Sequence, residues 1–177
     1  SVMKDAQHKL SKRYGDASCQ DLIEKGYLAE AILNYIALLG WSPGGTREFF
    51  TLKELEENFT IEGLSKSPSI FDIEKLKWMN AEYIRKATPE DFMAMAKPYI
   101  AAAVGEDSVL DLNKIAALIQ QRTEILTDIP EKIDFFKELP DYDTAIYCHK
   151  KMKTDKENSK ANLEKIIAFF KENEAEL

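Results

Sequence analysis

Two lysines bracket a serine near the amino end, in His8-Lys9-Leu10-Ser11-Lys12-Arg13. Two ammonium groups spaced this way can contact a polyphosphate and stabilise the charge on a departing pyrophosphate. The hydroxyl of Ser11 adds a donor with little bulk. On residue types alone, the same run also reads as solvated basic surface. The two cysteines, Cys19 and Cys148, form no Cys-x-x-Cys pair, and His8 and His149 lie far apart. No zinc site or other metal site is therefore expected. Cys148 and His149 are adjacent, and adjacent side chains on a helix do not face one site.

The elements that must carry these residues are helical. Apolar residues from Leu28 to Trp41 form a wide stripe, ended by Ser42-Pro43-Gly44-Gly45. The segment before it, Cys19 to Lys25, is closed by Gly26 as a C-cap. Thr51-Leu52-Lys53-Glu54 fits a capping box, with a helix to about Phe59. A polar connector, Ser65-Lys66-Ser67-Pro68-Ser69, precedes a helix over 72–86. Thr88, Pro89, Glu90 and Asp91 start another, running to about Val104 with a kink expected at Pro98. Helices are further predicted over 110–126, 130–139, 142–152 and 155–174. Tyr35, Trp41, Phe71 and Trp78 fall on apolar stripes and are assigned to the core.

The net charge is −7, which argues against a general nucleic-acid binder, although the first stretch is locally basic. No apolar run approaches the ~20 residues that span a bilayer, and no signal-peptide pattern opens the chain. A cytoplasmic protein with no membrane partner is expected, as is a piece of something longer, because position 1 is Ser.

Lys9-Leu10-Ser11-Lys12-Arg13 resembles the Lys-Met-Ser-Lys-Ser loop of class I aminoacyl-tRNA synthetases, in the variant found in glutamyl enzymes. Further blocks resemble the bacterial-type glutamyl family in order and spacing. They are Gly26-Tyr27-Leu28, Ala31 to Ser42, Ser65 to Asp72, Lys75-Leu76 and Trp78-Met79-Asn80. The resemblance spans roughly Met3 to Arg85 and is looser beyond Thr88, where Gln120-Gln121-Arg122 carries it.

The resemblance implies an all-α fold with no Rossmann domain in this chain. Residues 1–86 would end the catalytic region with its ATP-binding loop and add a stem-contact helical domain. Residues 87–177 would begin a helical anticodon-binding bundle, shortened at its C-terminal end. Lys12 would be the ATP contact, supported by Lys9, Leu10, Ser11 and Arg13. The implied partners are tRNA(Glu), glutamate and ATP with Mg2+, the last two for the full-length enzyme. No DNA partner, no bound cofactor on the fragment and a monomeric state are expected. The fragment alone is expected to be inactive, because the nucleotide fold that positions ATP is missing.

Such a protein needs cations at phosphates for affinity and other groups at base edges for specificity. Arg47, Lys66, Lys75 and Arg85 are the phosphate candidates, and Arg122 is the candidate for reading an anticodon base. Each also reads as an exposed surface cation, and Arg122 also suits a helix C-terminus. The basic run Lys150-Lys151-Met152-Lys153 reads as a solvated helix end. Two other functions stay open: a stand-alone helical protein-interaction module, and a non-discriminating enzyme that also charges tRNA(Gln).

Overall fold

The computed structural model describes residues 2–3, 7–8, 18–106, 108–139 and 141–173. It divides into two compact units, residues 1–138 and 139–177. The boundary expected at 86/87 falls inside the first of these.

Local chemistry starts most helices of the first unit. Helix α1 (Cys19–Glu24) opens on a capping box in which Ser18 and Asp21 bond each other's backbone N–H. Helix α2 (Ala29–Gly40) buries Ala31, Ile32, Asn34 and Tyr35. Helix α3 (Leu52–Asn58) opens on the Thr51–Glu54 capping box read from the sequence. The Asp72 carboxylate caps α4 (Ile73–Lys86) by accepting from the Glu74 and Lys75 N–H groups. Thr88 caps α5 (Pro89–Val104), with Pro89 in its first turn, and the helix continues through Pro98. Asp111 caps α6 (Leu112–Ile119), and α7 is short (Ile129–Ile133).

Three buried clusters hold these helices. Leu22, Tyr27, Ile32, Tyr35, Leu76 and Met79 join α1, α2 and α4. Trp41, Phe50 and Leu55 pack the end of α2 on α3. The largest cluster includes Ile84, Phe92, Ile100, Ile115, Ile129 and Ile133, and joins α4 through α7. Each such side chain contributes about 1.5–3 kcal/mol of apolar transfer.

The second unit holds α8 (Lys156–Glu172), opened by reciprocal bonds between Asp155 and Asn158. Its apolar side chains stay half exposed, from Leu163 at 38% to Phe169 at 58%.

The fold is helical as expected, with one short two-stranded parallel pairing beside the helices, β1 (Val2–Met3) with β2 (Ser69–Ile70), in the register Val2 to Ser69 and Met3 to Ile70. Several expected element bounds need correction. The helix predicted over 110–126 ends at Ile119 and tightens into a 3-10 turn at Gln120–Arg122. The one predicted over 130–139 gives way after Ile133 to a 3-10 turn, Asp134–Phe136. The segment 142–152 is no α-helix but two 3-10 turns, Thr144–Tyr147 and Lys150–Met152. Asp143 turns back onto the Ala145 N–H there, and Lys153 takes a left-handed φ of 53°. Trp78, assigned to the core, is 44% exposed and sets its ring edge-on to Phe49.

Candidate nucleic-acid interface

The signature residues Lys9, Leu10, Ser11, Lys12 and Arg13 lie outside the described residues. What can be placed is the strand that leads toward them. Pairing of β1 with β2 continues into a bond from the Phe71 N–H to the Met3 carbonyl, at 2.8 Å. Val2 and Met3 are thereby fixed beside the end of the Ser65–Ser69 connector.

That connector is itself pinned to the end of α2. The Ser65 N–H donates to the Gly40 carbonyl at 2.9 Å, and the Ser69 hydroxyl donates to the Leu39 carbonyl. Trp41 and Leu64 add an antiparallel bridge. Gly63 is required at this crossing. A Cβ there would stand 2.5 Å from Trp41 Nε1 and 2.6 Å from the Ser42 carbonyl oxygen. Lys66 projects from a held loop, exposed, and no ion pair is formed by it among the described residues.

Arg47 and Lys75 are brought together. Both line one open cleft of about 440 Å³ with Leu38, Trp41, Ser42 and Thr46. The loop bearing Arg47 is tied down by Asn34, which is fully buried in α2. Its Nδ2 donates to the Glu48 carbonyl at 2.9 Å, and its Oδ1 accepts from the Phe50 N–H at 2.8 Å. The Tyr83 hydroxyl sits 2.6 Å from the same Oδ1 and 2.8 Å from the Phe50 carbonyl. Burial raises the pKa of Tyr83, so it stays a neutral donor.

Neither cation in this cleft is unengaged. Arg47 pairs with Glu54, donates from Nε to the Phe49 carbonyl and lies 4.5 Å from the Phe50 ring centroid. The Arg47 hydrogen bond, helped by the Thr51 N–H, holds the Glu54 carboxyl down at about 2. Lys75 pairs with Glu48. Arg85 lies apart from the cleft on α4 and pairs with Glu82 one turn back. Lys86, not singled out from the sequence, stands 4.2 Å over the Phe49 ring.

Arg122 closes the 3-10 turn after α6 and is exposed. Its carbonyl accepts from Lys132 Nζ at 2.6 Å, and its guanidinium forms no ion pair among the described residues. The five RNA candidates thus divide in two. Arg47, Lys75 and Arg85 would exchange a carboxylate for a phosphate, while Lys66 and Arg122 would not. A surface ion pair contributes only about 0–1 kcal/mol, so exchange is affordable, but the released carboxylate then repels the phosphate.

Sequence reading missed two buried carboxamides: Asn34, which holds the loop bearing Arg47, and Asn80. Both lie among apolar helical residues, the one available signal that they face inward.

The chain matches two family models in succession. Residues 1–78 match the catalytic domain of class I tRNA synthetases (E and Q), and residues 91–176 match an anticodon binding domain. In this order the two stretches are similar to the catalytic and anticodon-binding parts of class I tRNA synthetases of the glutamate and glutamine group.

Among curated proteins the chain is similar to glutamate–tRNA ligases. It is 58% identical over 171 residues to the one from Clostridium kluyveri, covering 97% of this chain and 35% of that protein. It is 55% identical over 166 residues to the Clostridium tetani ligase, covering 94% and 34%. A solved glutamate tRNA ligase from Elizabethkingia meningosepticum, in complex with its amino acid, superposes with a TM-score of 0.71. That match has 27% identity and covers 85% of this chain and 34% of the other. The chain spans about a third of the length of the curated relatives it matches.

Proposed function

We propose that this chain is the tRNA-holding part of a glutamate–tRNA ligase, which uses ATP with Mg2+ to activate glutamate and join it to tRNA(Glu). One observation carries this reading: identity of 58% to such a ligase runs across 97% of the chain, through both family matches. Residues 1–86 end the catalytic region and contact the tRNA stem. Residues 87–177 reach the anticodon. Lys12 contacts the ATP phosphates, with Lys9, Ser11 and Arg13 shaping the loop. Lys66 contacts RNA phosphate, and Arg122 reads an anticodon base. Arg47, Lys75 and Arg85 add phosphate contacts only after leaving their carboxylates. The protein acts as a cytoplasmic monomer on RNA, not DNA.

The test uses the 177-residue chain. It binds tRNA(Glu) in a fluorescence-anisotropy titration, and Arg122→Ala narrows its preference for tRNA(Glu) over an anticodon-altered tRNA by about ten-fold or more, the size of one lost base contact. ATP–pyrophosphate exchange with glutamate stays at background, because loop lysines cannot position ATP by themselves. Equal binding of tRNA(Gln) identifies the non-discriminating form. Clear exchange by this chain alone, or an unchanged anticodon preference in the variant, contradicts these assignments.

A second reading has one observation in its favour. Leu163, Ile166, Ile167, Phe169 and Phe170 leave α8 with a half-exposed apolar face, which suits a protein-interaction module. Absence of any tRNA binding would favour it.

A further inference from the structure

Two buried carboxamides, Asn80 and Gln120, sit where the two family-matched stretches meet. Asn80 is fully buried. Its Oδ1 accepts from the Leu28 N–H at 2.8 Å, and its Nδ2 donates to the Glu124 carbonyl at 2.6 Å. One side chain therefore bonds to both stretches. Gln120 Nε2 donates to the Ile84 and Ala87 carbonyls, at 3.0 and 2.9 Å, where α4 ends.

Around these lie contacts with the same direction. The Leu126 N–H donates to the Gly26 carbonyl at 3.2 Å, and the Thr127 hydroxyl to the Lys25 carbonyl at 2.7 Å. Lys77 pairs with Glu124 at 3.0 Å. Gly26 has φ +86°, and a Cβ there would stand 2.7 Å from the Thr127 nitrogen. The stretch 124–127 thus lies against the 25–28 turn with no room for a side chain between them.

Buried directional bonds of this kind admit one arrangement, since a rotated arrangement leaves donors and acceptors unsatisfied. An apolar contact alone would tolerate sliding. We propose that Asn80, Gln120 and the Gly26–Thr127 contact form a rigid joint, which sets the two stretches at the one angle at which a single tRNA engages both. They are positioning residues and touch no RNA. The proposal rests on the tRNA reading. Its physical content is that two sites on one rigid body bind a two-armed ligand far better than either arm, while a loose joint lowers the effective concentration of the second arm.

The experiment has two readouts. In a Cys148→Ser background, spin labels on Cys19 of α1 and on Ala102→Cys of α5 report the distance across the joint. The same proteins are titrated with tRNA(Glu), an isolated acceptor-stem minihelix and an isolated anticodon stem-loop. The variants are Asn80→Ala and the milder Glu124→Gln/Thr127→Val, which changes only exposed side chains and decides the matter if Asn80→Ala does not fold. The unaltered joint gives one narrow distance. The variants broaden it and weaken intact tRNA by about ten-fold or more, with each arm alone within about two-fold. An unbroadened distance, an unchanged affinity for intact tRNA, or an equal loss on the separate arms overturns the proposal. An unaltered chain that binds no tRNA refutes the tRNA reading instead, and the label distances still decide rigidity.

Discussion

Phe92 and Phe169 both lie on helices, yet one is fully buried in the first unit and the other is 58% exposed in the second. The contrast extends to polar groups. The first unit buries Asn34, Asn80, Gln120 and Thr123, each bonded to backbone or side-chain partners, whereas the second buries Ser159 alone among its described residues. In the first unit, tertiary burial selects the conformation. In the second, α8 is set by its local cap, the Asp155–Asn158 reciprocal bonds, and by helix propensity. A cap fixes where a helix starts, but it does not fix what its apolar face meets.

Substitutions can separate these two sources of order. Phe92→Ala should cost about 3–5 kcal/mol in denaturant unfolding, with loss of the first unit's cooperative transition, while Phe169→Ala should cost less than about 1 kcal/mol. Comparable costs would erase the distinction. Asp155→Ala should remove about 1 kcal/mol from α8 alone, seen as faster amide exchange over 156–160 with the first unit's midpoint unmoved. A shift of both would mean that the units fold as one.

The smallest effect concerns Glu54. Its carboxyl is held at about 2 against an ordinary 4.5, chiefly by the Arg47 hydrogen bond. A depressed carboxyl pKa stabilises the fold above the unfolded value and loses that contribution as pH falls from about 4.5 toward 2. Arg47→Met should therefore return the Glu54 titration, followed by carboxyl NMR, toward 4.5. A titration that stays low would assign the shift to Thr51 instead.

The sequence made the helix starts legible because each start is a local event. Thr51 and Thr88 cap where their side-chain types required. What it did not make legible depends on partners far along the chain. β1 and β2 are two residues each, too short for alternation to register, and they pair across 66 intervening positions. The helix before Arg122 stops early because Gln120 turns onto carbonyls of the α4 end and Thr123 bonds the Ile119 carbonyl at 2.9 Å. Neither bond is visible in helical periodicity. The candidate cations were recognisable by type, but the structure was required to divide them into Arg47, Lys75 and Arg85, which are ion-paired, and Lys66 and Arg122, which form no ion pair among the described residues.

The claim beneath all of this is that an acidic chain holds RNA through a few placed cations. The direct measurement is the affinity of the 177-residue chain for tRNA(Glu) as salt is varied. Engagement of three duplex phosphates predicts a loss of about 40-fold between roughly 50 and 200 mM salt, with the log–log slope reduced by about 1 in Lys66→Ala. Salt-independent affinity, or no binding at the lowest salt, would contradict it.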